Sequence, residues 1–225
     1  MADLYMRHPR ATRILVAAAT AVSILAGTSS ALAATSSDTT QFAVTAGTLV
    51  FTTVPDAPNL PGLTLNGQQQ TLNATMGNFG VSDATGSGAG WNVTVAGDNT
   101  GGKSSVFKAY CTNAGGCGAH PFGYVASGAT LAQNTLTLNS TGAGFSAQNG
   151  TTGVAPTHRG NSTCNVDSAA PVKVLSAAAG AGMGSYLTTS YSATSLAAIT
   201  PSTTAALLAN EVYRVDLLWT LGTGP

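Results

Sequence analysis

A two-residue alternation of apolar and polar side chains is the feature that most constrains how this chain can fold. In the segment GWNVTVA, the apolar residues Trp91, Val93 and Val95 alternate with the polar residues Asn92 and Thr94. Successive side chains of a β-strand point to opposite faces. The segment therefore predicts a strand with one aromatic-bearing apolar face and one polar face.

The same alternation returns near the C-terminus. Trp219 and Leu221 lie in phase with one another, while Arg214 and Asp216 fall on the opposite face. The pattern predicts one strand over Val212–Leu221. In that strand we expect Asp216 to face outward beside Arg214, as a cross-strand or solvated charge.

The two tryptophans allow two interpretations. In the first, Trp91 and Trp219 are core residues, because an indole opposite β-branched neighbours fills the middle of a sandwich. In the second, the two indoles lie near each other and form an aromatic platform for a sugar. Both interpretations hold together if the rings lie at the rim of the core.

Short β-prone runs separated by Gly, Pro and Asn recur along the chain, and no 11-residue stretch has a helical period. The predicted strands are Gln41–Thr45, Thr48–Val54, Gly80–Ser82, Gly90–Ala96, Ser105–Tyr110, Thr135–Leu138, Pro171–Leu175, Tyr186–Ser192 and Val212–Leu221. We predict a polar loop over residues 142–161 and one or two helical turns over residues 202–210. The predicted fold is all-β, a sandwich-like single domain of short antiparallel strands with Gly/Pro/Asn-rich loops.

Residues 1–33 have the layout of a secretory signal peptide. Three arginines precede the apolar run Ile14–Gly27, and the small residues Ala31 and Ala33 supply the cleavage pattern. The apolar run is shorter than the roughly 20 residues that span a bilayer. We therefore expect cleavage after Ala33, a secreted domain over residues 34–225, and no integral membrane anchor.

Charge excludes several classes of partner. The predicted mature domain has five Lys/Arg against seven Asp/Glu, so its net charge is 5 − 7 = −2. Nucleic-acid binding needs a basic face that neutralises phosphates, so no nucleic-acid partner is expected. A polybasic patch for an anionic membrane is absent for the same reason.

Three cysteines leave the disulfide pairing open. The short Gly-rich segment between Cys111 and Cys117 favours a bond between these two, and pairing of either with Cys164 would close a longer loop. His120 near Cys117 suggests zinc, but a zinc site needs a paired spacing and a fourth ligand. We expect no metal site.

The sequence lacks the groups that nucleophilic enzymes and glycoside hydrolases use. Nucleophilic catalysis needs a Ser or Cys activated by a base, which is most often a histidine. The only histidines after residue 33 are His120 and His158. Glycoside hydrolysis needs two facing carboxylates, and Glu211 is the one glutamate in the chain. We expect no enzymatic activity and no cofactor.

The tryptophan segments resemble the WxL-domain proteins, exported proteins of Gram-positive bacteria named for two Trp-x-Leu motifs. Trp219-Thr220-Leu221 matches the motif as it stands, and Trp91-Asn92-Val93 departs from it by Val for Leu. The resemblance runs from about Ala43 to Gly222. It implies β-sheet architecture, non-covalent attachment to peptidoglycan through the motif residues, and association with other surface proteins.

The leading functional prediction is a secreted, non-catalytic protein of the cell surface that binds the peptidoglycan of the cell wall. Its predicted binding residues are the two motifs, with Trp91 and Trp219 at their centre. The alternative is a structural or adhesive component of the surface layer that binds protein partners or assembles with itself. A polar, almost uncharged exterior is compatible with both functions.

Overall fold

The computed structural model describes residues 38–159 and 163–225. The predicted signal peptide, residues 1–33, lies outside this part of the chain. The chain divides into two units, residues 1–44 and 45–225. In the first unit, the described residues 38–44 form no strand, and the side chain of Phe42 is 89% exposed. The predicted strand at Gln41–Thr45 is therefore wrong, because the β propensity of these residues is context-dependent and does not form a strand by itself.

The described residues form fifteen strands and no helix, so none of them forms a helix able to span a membrane. The strands are β1 (Leu49–Thr53), β2 (Gln70–Ala74), β3 (Gly80–Asp83), β4 (Trp91–Gly97), β5 (Lys108–Cys111), β6 (Gly123–Tyr124), β7 (Leu136–Asn139), β8 (Gly144–Gln148), β9 (Thr157–His158), β10 (Thr163–Asn165), β11 (Val172–Ala177), β12 (Gly184–Thr189), β13 (Leu196–Thr200), β14 (Glu211–Arg214) and β15 (Leu217–Thr223).

All strand pairs are antiparallel, and they form four sheets. Sheet A has the order β1-β3-β12-β8, sheet B the order β10-β7-β13-β2, and sheet C the order β15-β4-β11-β9. Sheet D is smaller, with the order β14-β5-β6. The all-β prediction is confirmed, and seven of the nine predicted strands each coincide with one observed strand.

The predicted strand Val212–Leu221 is in fact two strands that belong to different sheets. Between them, the Asp216 N–H donates to the Ser104 carbonyl, and the Asp216 carbonyl accepts from the Asp98 N–H, both at 2.8 Å. These bonds tie the chain to the loop after β4 at the point where it leaves sheet D and enters sheet C. The hydrophobic alternation continues through the break, which is why the pattern did not reveal it.

Two further predictions about loops are wrong. The described part of the predicted loop 142–161 contains β8 and β9, and β8 pairs with β12 along its whole length. Residues 202–210 form two turns joined by an irregular segment, with no helical turn. For β8, the pairing with β12, a partner distant in sequence, overrides the loop-like composition.

The core lies between the inward faces of sheets A, B and C. Its largest fully buried side chains include Trp91, Phe79, Met76 and Leu175. Sheet B contributes alternating positions of β7 and β13, and β15 packs its partly buried residues against the same cluster. The core therefore fixes the position of the two strands that carry the tryptophan motifs.

Candidate functional site

The two Trp-x-Leu-like segments lie side by side on β4 and β15 of sheet C. In this antiparallel register Val93 is directly opposite Leu221, Val95 is opposite Trp219, and Trp91 is opposite Thr223. Residues directly opposite one another share a face of the sheet. Both tryptophans and both third-position residues of the motifs therefore point to the same side, the interior.

Trp91 is a core residue. Its side chain is fully buried, and its indole Nε1–H donates to the Gly182 carbonyl at 3.1 Å. Gly182 has a φ of +72°, and a Cβ there would lie 2.6 Å from the indole nitrogen. The close approach of this glycine is what allows the indole to reach a backbone acceptor inside the core. The first interpretation of Trp91 is thus confirmed, and its ring has no face open to a ligand.

Trp219 is half-buried and packs against Phe79, with ring centroids 5.6 Å apart and planes at 52°. Since Trp219 is opposite Val95, it lies four residues along β4 from Trp91, a distance of about 13 Å at the usual rise per residue. The two indoles therefore do not form one platform. The assignment of both motifs to wall binding stays a prediction.

The polar side chains between the motif positions face the other way. Asn92 and Thr94 on β4, Ser176 on β11 and Thr220 on β15 share the outer side of sheet C, and we call these four residues the motif face. Asn92 donates through Nδ2 to the Gly224 carbonyl at 2.7 Å. The four side chains of the motif face are uncharged hydroxyl and amide groups, and the exposed Lys173 of β11 lies on the same side of the sheet, opposite Thr94.

The predicted disulfide between Cys111 and Cys117 is confirmed, with Cα atoms 5.7 Å apart. It joins the last residue of β5 to Cys117, which lies within the connection between β5 and β6. The side chain of Glu211 is 3% exposed. Its Oε1 lies 2.5 Å from Nδ1 of His120, a residue of this connection, so the two side chains are hydrogen-bonded. Cys164 keeps a free thiol in the core, where burial raises its pKa.

Sheet D carries a cluster of aromatic side chains that the sequence analysis did not identify. Its register places Val212, Tyr110 and Tyr124 in one row across the three strands. Tyr110 lies at the centre, 5.0 Å from the Tyr124 ring and 5.7 Å from the Phe122 ring, and both contacts are edge-to-face. In the sequence, the cluster could have been suspected only from the three aromatic residues within positions 110–124, Tyr110, Phe122 and Tyr124.

Charged groups border this cluster. The Arg214 guanidinium lies 4.5 Å from the centre of the Tyr110 ring and bonds to Asp216 through both Nε and an Nη atom. The Tyr124 hydroxyl donates to the other oxygen of Asp216 at 2.5 Å. Burial raises the pKa of Asp216, but these hydrogen bonds outweigh it and hold the pKa below its usual value. Asp216 lies beside Arg214 and pairs with it, as predicted, but its side chain is only 12% exposed, so it is a mostly buried anchor and not a solvated charge.

No group of three or more His, Cys, Asp or Glu side chains is placed to hold a metal ion within residues 38–159 and 163–225. His120 is held by Glu211, as described above. His158 stacks on Phe145 with ring centroids 4.5 Å apart, and burial lowers its pKa. Both histidines that follow the predicted signal peptide thus pack within the fold.

Comparison with known proteins gives one family. No curated protein and no solved structure matches the chain. The family model described as "WxL domain surface cell wall-binding" matches residues 30–225, which is nearly the whole chain. That span includes both motif strands, the motif face and sheet D. The chain therefore belongs to the WxL family of cell-wall-binding surface domains.

Proposed function

We propose that this protein is exported, has no catalytic activity, and attaches non-covalently to the peptidoglycan of its cell wall. The observation that carries the proposal is the match of a cell-wall-binding family over residues 30–225. The signal-like layout of residues 1–33 supports export. The hydroxyl and amide groups of the motif face suit a hydroxyl-rich polymer such as a glycan strand.

The six motif residues contribute in two ways in this proposal. Trp91, Val93, Trp219 and Leu221 point inward and position the two strands. Asn92 and Thr220 point outward and supply hydrogen-bonding groups to the wall. A flat surface with pre-positioned amide and hydroxyl groups binds a polymer by reading its polar edges, with little ordering of side chains on binding.

Sedimentation with purified sacculi tests attachment to the wall. We expect the mature protein, residues 34–225, to pellet with sacculi. The variant Asn92→Ala/Thr220→Ala removes two hydrogen-bonding side chains, each worth about 1 kcal/mol, and is expected to weaken binding at least tenfold. A matched control is Asn73→Ala/Thr71→Ala, which removes the same pair of side chains from the exposed face of β2.

Each outcome has a definite meaning. If the mature protein stays in the supernatant, direct attachment to peptidoglycan is wrong, and binding through protein partners replaces it. If the control variant loses as much binding as the Asn92/Thr220 variant, the motif face has no special role. Release of soluble muropeptides from sacculi above the level in buffer would contradict the proposed lack of catalytic activity.

A further inference from the structure

We propose that the open face of sheet D is a second glycan-binding surface, one that stacks on sugar rings and pairs with the carboxylates they carry. This surface, which we call the aromatic face, consists of Lys108, Tyr110, Phe122, Tyr124 and Arg214. The proposal rests on attachment to the wall and names a site and a ligand class for it: a glycan strand that carries acidic peptide stems.

The aromatic face reverses the usual arrangement of a surface sheet. One side of sheet D is buried, with Ala109 and Cys111 in contact with the interior. The opposite side should then be polar. Instead it carries three aromatic rings, and the side chains of Phe122 and Val212 are 56% and 44% exposed. Because the buried side already anchors the sheet, the fold does not need these apolar groups.

The rings are held in place before any ligand arrives. Edge-to-face contacts fix Tyr110 against Tyr124 and Phe122. The hydrogen bond to Asp216 fixes the Tyr124 hydroxyl, and the disulfide ties Cys117, five residues before Phe122, to the end of β5. A rigid set of aromatic side chains loses little conformational entropy when it binds. A sugar ring with an apolar side is a suitable partner for such a surface.

Two cations lie directly opposite each other on this face. The register of β5 and β14 pairs Lys108 with Arg214, and like charges in this position are destabilising. Arg214 is matched by Asp216, whereas Lys108 Nζ reaches the Ala126 carbonyl at 3.3 Å. The predicted mature domain has only five Lys/Arg in all. A carboxylate bound here would relieve the repulsion and form a charge-assisted hydrogen bond.

The rigid aromatic rings and the unmatched lysine together indicate which class of ligand this face binds. Aromatic rings alone would suit a neutral glycan or a protein partner. The unmatched lysine next to the rings favours a ligand that combines sugar faces with carboxylates. The glycan strand of peptidoglycan has this combination through its acidic peptide stems, and a neutral oligosaccharide of N-acetylglucosamine has only the sugar faces.

The test uses residues 34–225 and three probes: protease-treated sacculi, soluble muropeptides with their stems, and the neutral tetrasaccharide chitotetraose. Phe122→Ser should weaken binding to all three probes about tenfold. Lys108→Gln should weaken binding to muropeptides about fivefold and leave chitotetraose binding unchanged. Phe42→Ser is the control for loss of an exposed phenylalanine outside sheet D, and circular dichroism confirms that each variant is folded.

Several results would overturn the proposal. If the wild-type protein pellets with sacculi and both sheet D variants pellet equally well, wall attachment stands and the aromatic face is not a site for it. Untreated sacculi, which retain their proteins, serve as a comparison: if Phe122→Ser loses binding to these and keeps wild-type binding to the protease-treated sacculi, the occupant is a protein. If the wild-type protein does not pellet at all, the proposed function itself fails. The wild-type measurement is therefore needed to distinguish this failure from the failure of the aromatic face alone.

Discussion

Replacing Trp91 with phenylalanine should destabilise the fold far more than the same change at Trp219. Trp91→Phe removes the indole N–H that bonds to the buried Gly182 carbonyl at 3.1 Å. An unsatisfied buried carbonyl costs about 1–3 kcal/mol, and the space left by the smaller ring adds about 1 kcal/mol. We therefore expect a loss of about 3 kcal/mol in the free energy of unfolding.

Trp219 provides the matched comparison. Its ring is half-buried against Phe79, and within the described chain its indole N–H makes no hydrogen bond. Trp219→Phe should therefore cost about 1 kcal/mol or less. Urea unfolding followed by circular dichroism measures both variants. At about 2 kcal/mol per molar urea, Trp91→Phe should lower the midpoint by about 1.5 M.

An independent pair of variants tests the close packing around Gly182, where Trp91 and Ala177 both approach the backbone. Gly180 and Gly182 both have positive φ, but a Cβ at position 180 meets open space, while one at position 182 lies 2.3 Å from the Ala177 Cβ. Gly182→Ala should therefore be much more destabilising than Gly180→Ala. The reasoning is refuted if the two alanine variants are equally stable, or if Trp91→Phe costs no more than Trp219→Phe.

Two further predictions concern the disulfide and acid stability. Replacing Cys111 and Cys117 together by Ala should lower the free energy of unfolding by about 2 kcal/mol, and dithiothreitol should lower the urea midpoint of the wild type but not of this variant. The hydrogen bond from Lys103 at 2.6 Å, with those from Thr100, lowers the pKa of Asp98 from 3.8 to about 2. Asp98 thus stabilises the fold above about pH 4, and that contribution is lost towards pH 2. Asp98→Asn should show a smaller fall in Tm between these values than the wild type, and an equal fall would contradict the assignment.

The parts of the fold that sequence predicted are those whose pattern is local. The alternation around Trp91 gave β4 with the correct inward and outward faces. Strands β8 and β13 were missed because Gly, Ser and Ala give weak alternation, and their strand character comes from partners distant in sequence. The segment Gln41–Thr45 shows the reverse case, in which β-prone residues form no strand.

The candidate sites also divide into those with a local sequence pattern, which could be predicted, and those formed by residues distant in sequence, which could not. The disulfide was predictable because its two cysteines are six residues apart and separated by a flexible Gly-rich turn. The aromatic face was not predictable, because Arg214 reaches Tyr110 from a strand about a hundred residues later in the chain. The break at Asp216, which creates that arrangement, leaves the hydrophobic alternation intact and so has no signature in the pattern.

The geometry of the motif also bears on where recognition can occur. A strand sends residues i and i+2 to one face and residue i+1 to the other, so in Trp-x-Leu the two named positions share a side. In this fold that side is the core, with Val93 opposite Leu221. Val for Leu at that position keeps an apolar partner inside the sheet. In the proposed function, we therefore expect the named residues to act on binding only through the position of their strands, and the wildcard positions and groups outside the motif to contact the wall. Loss of binding in a tryptophan variant is evidence about recognition only when the variant is shown to be folded.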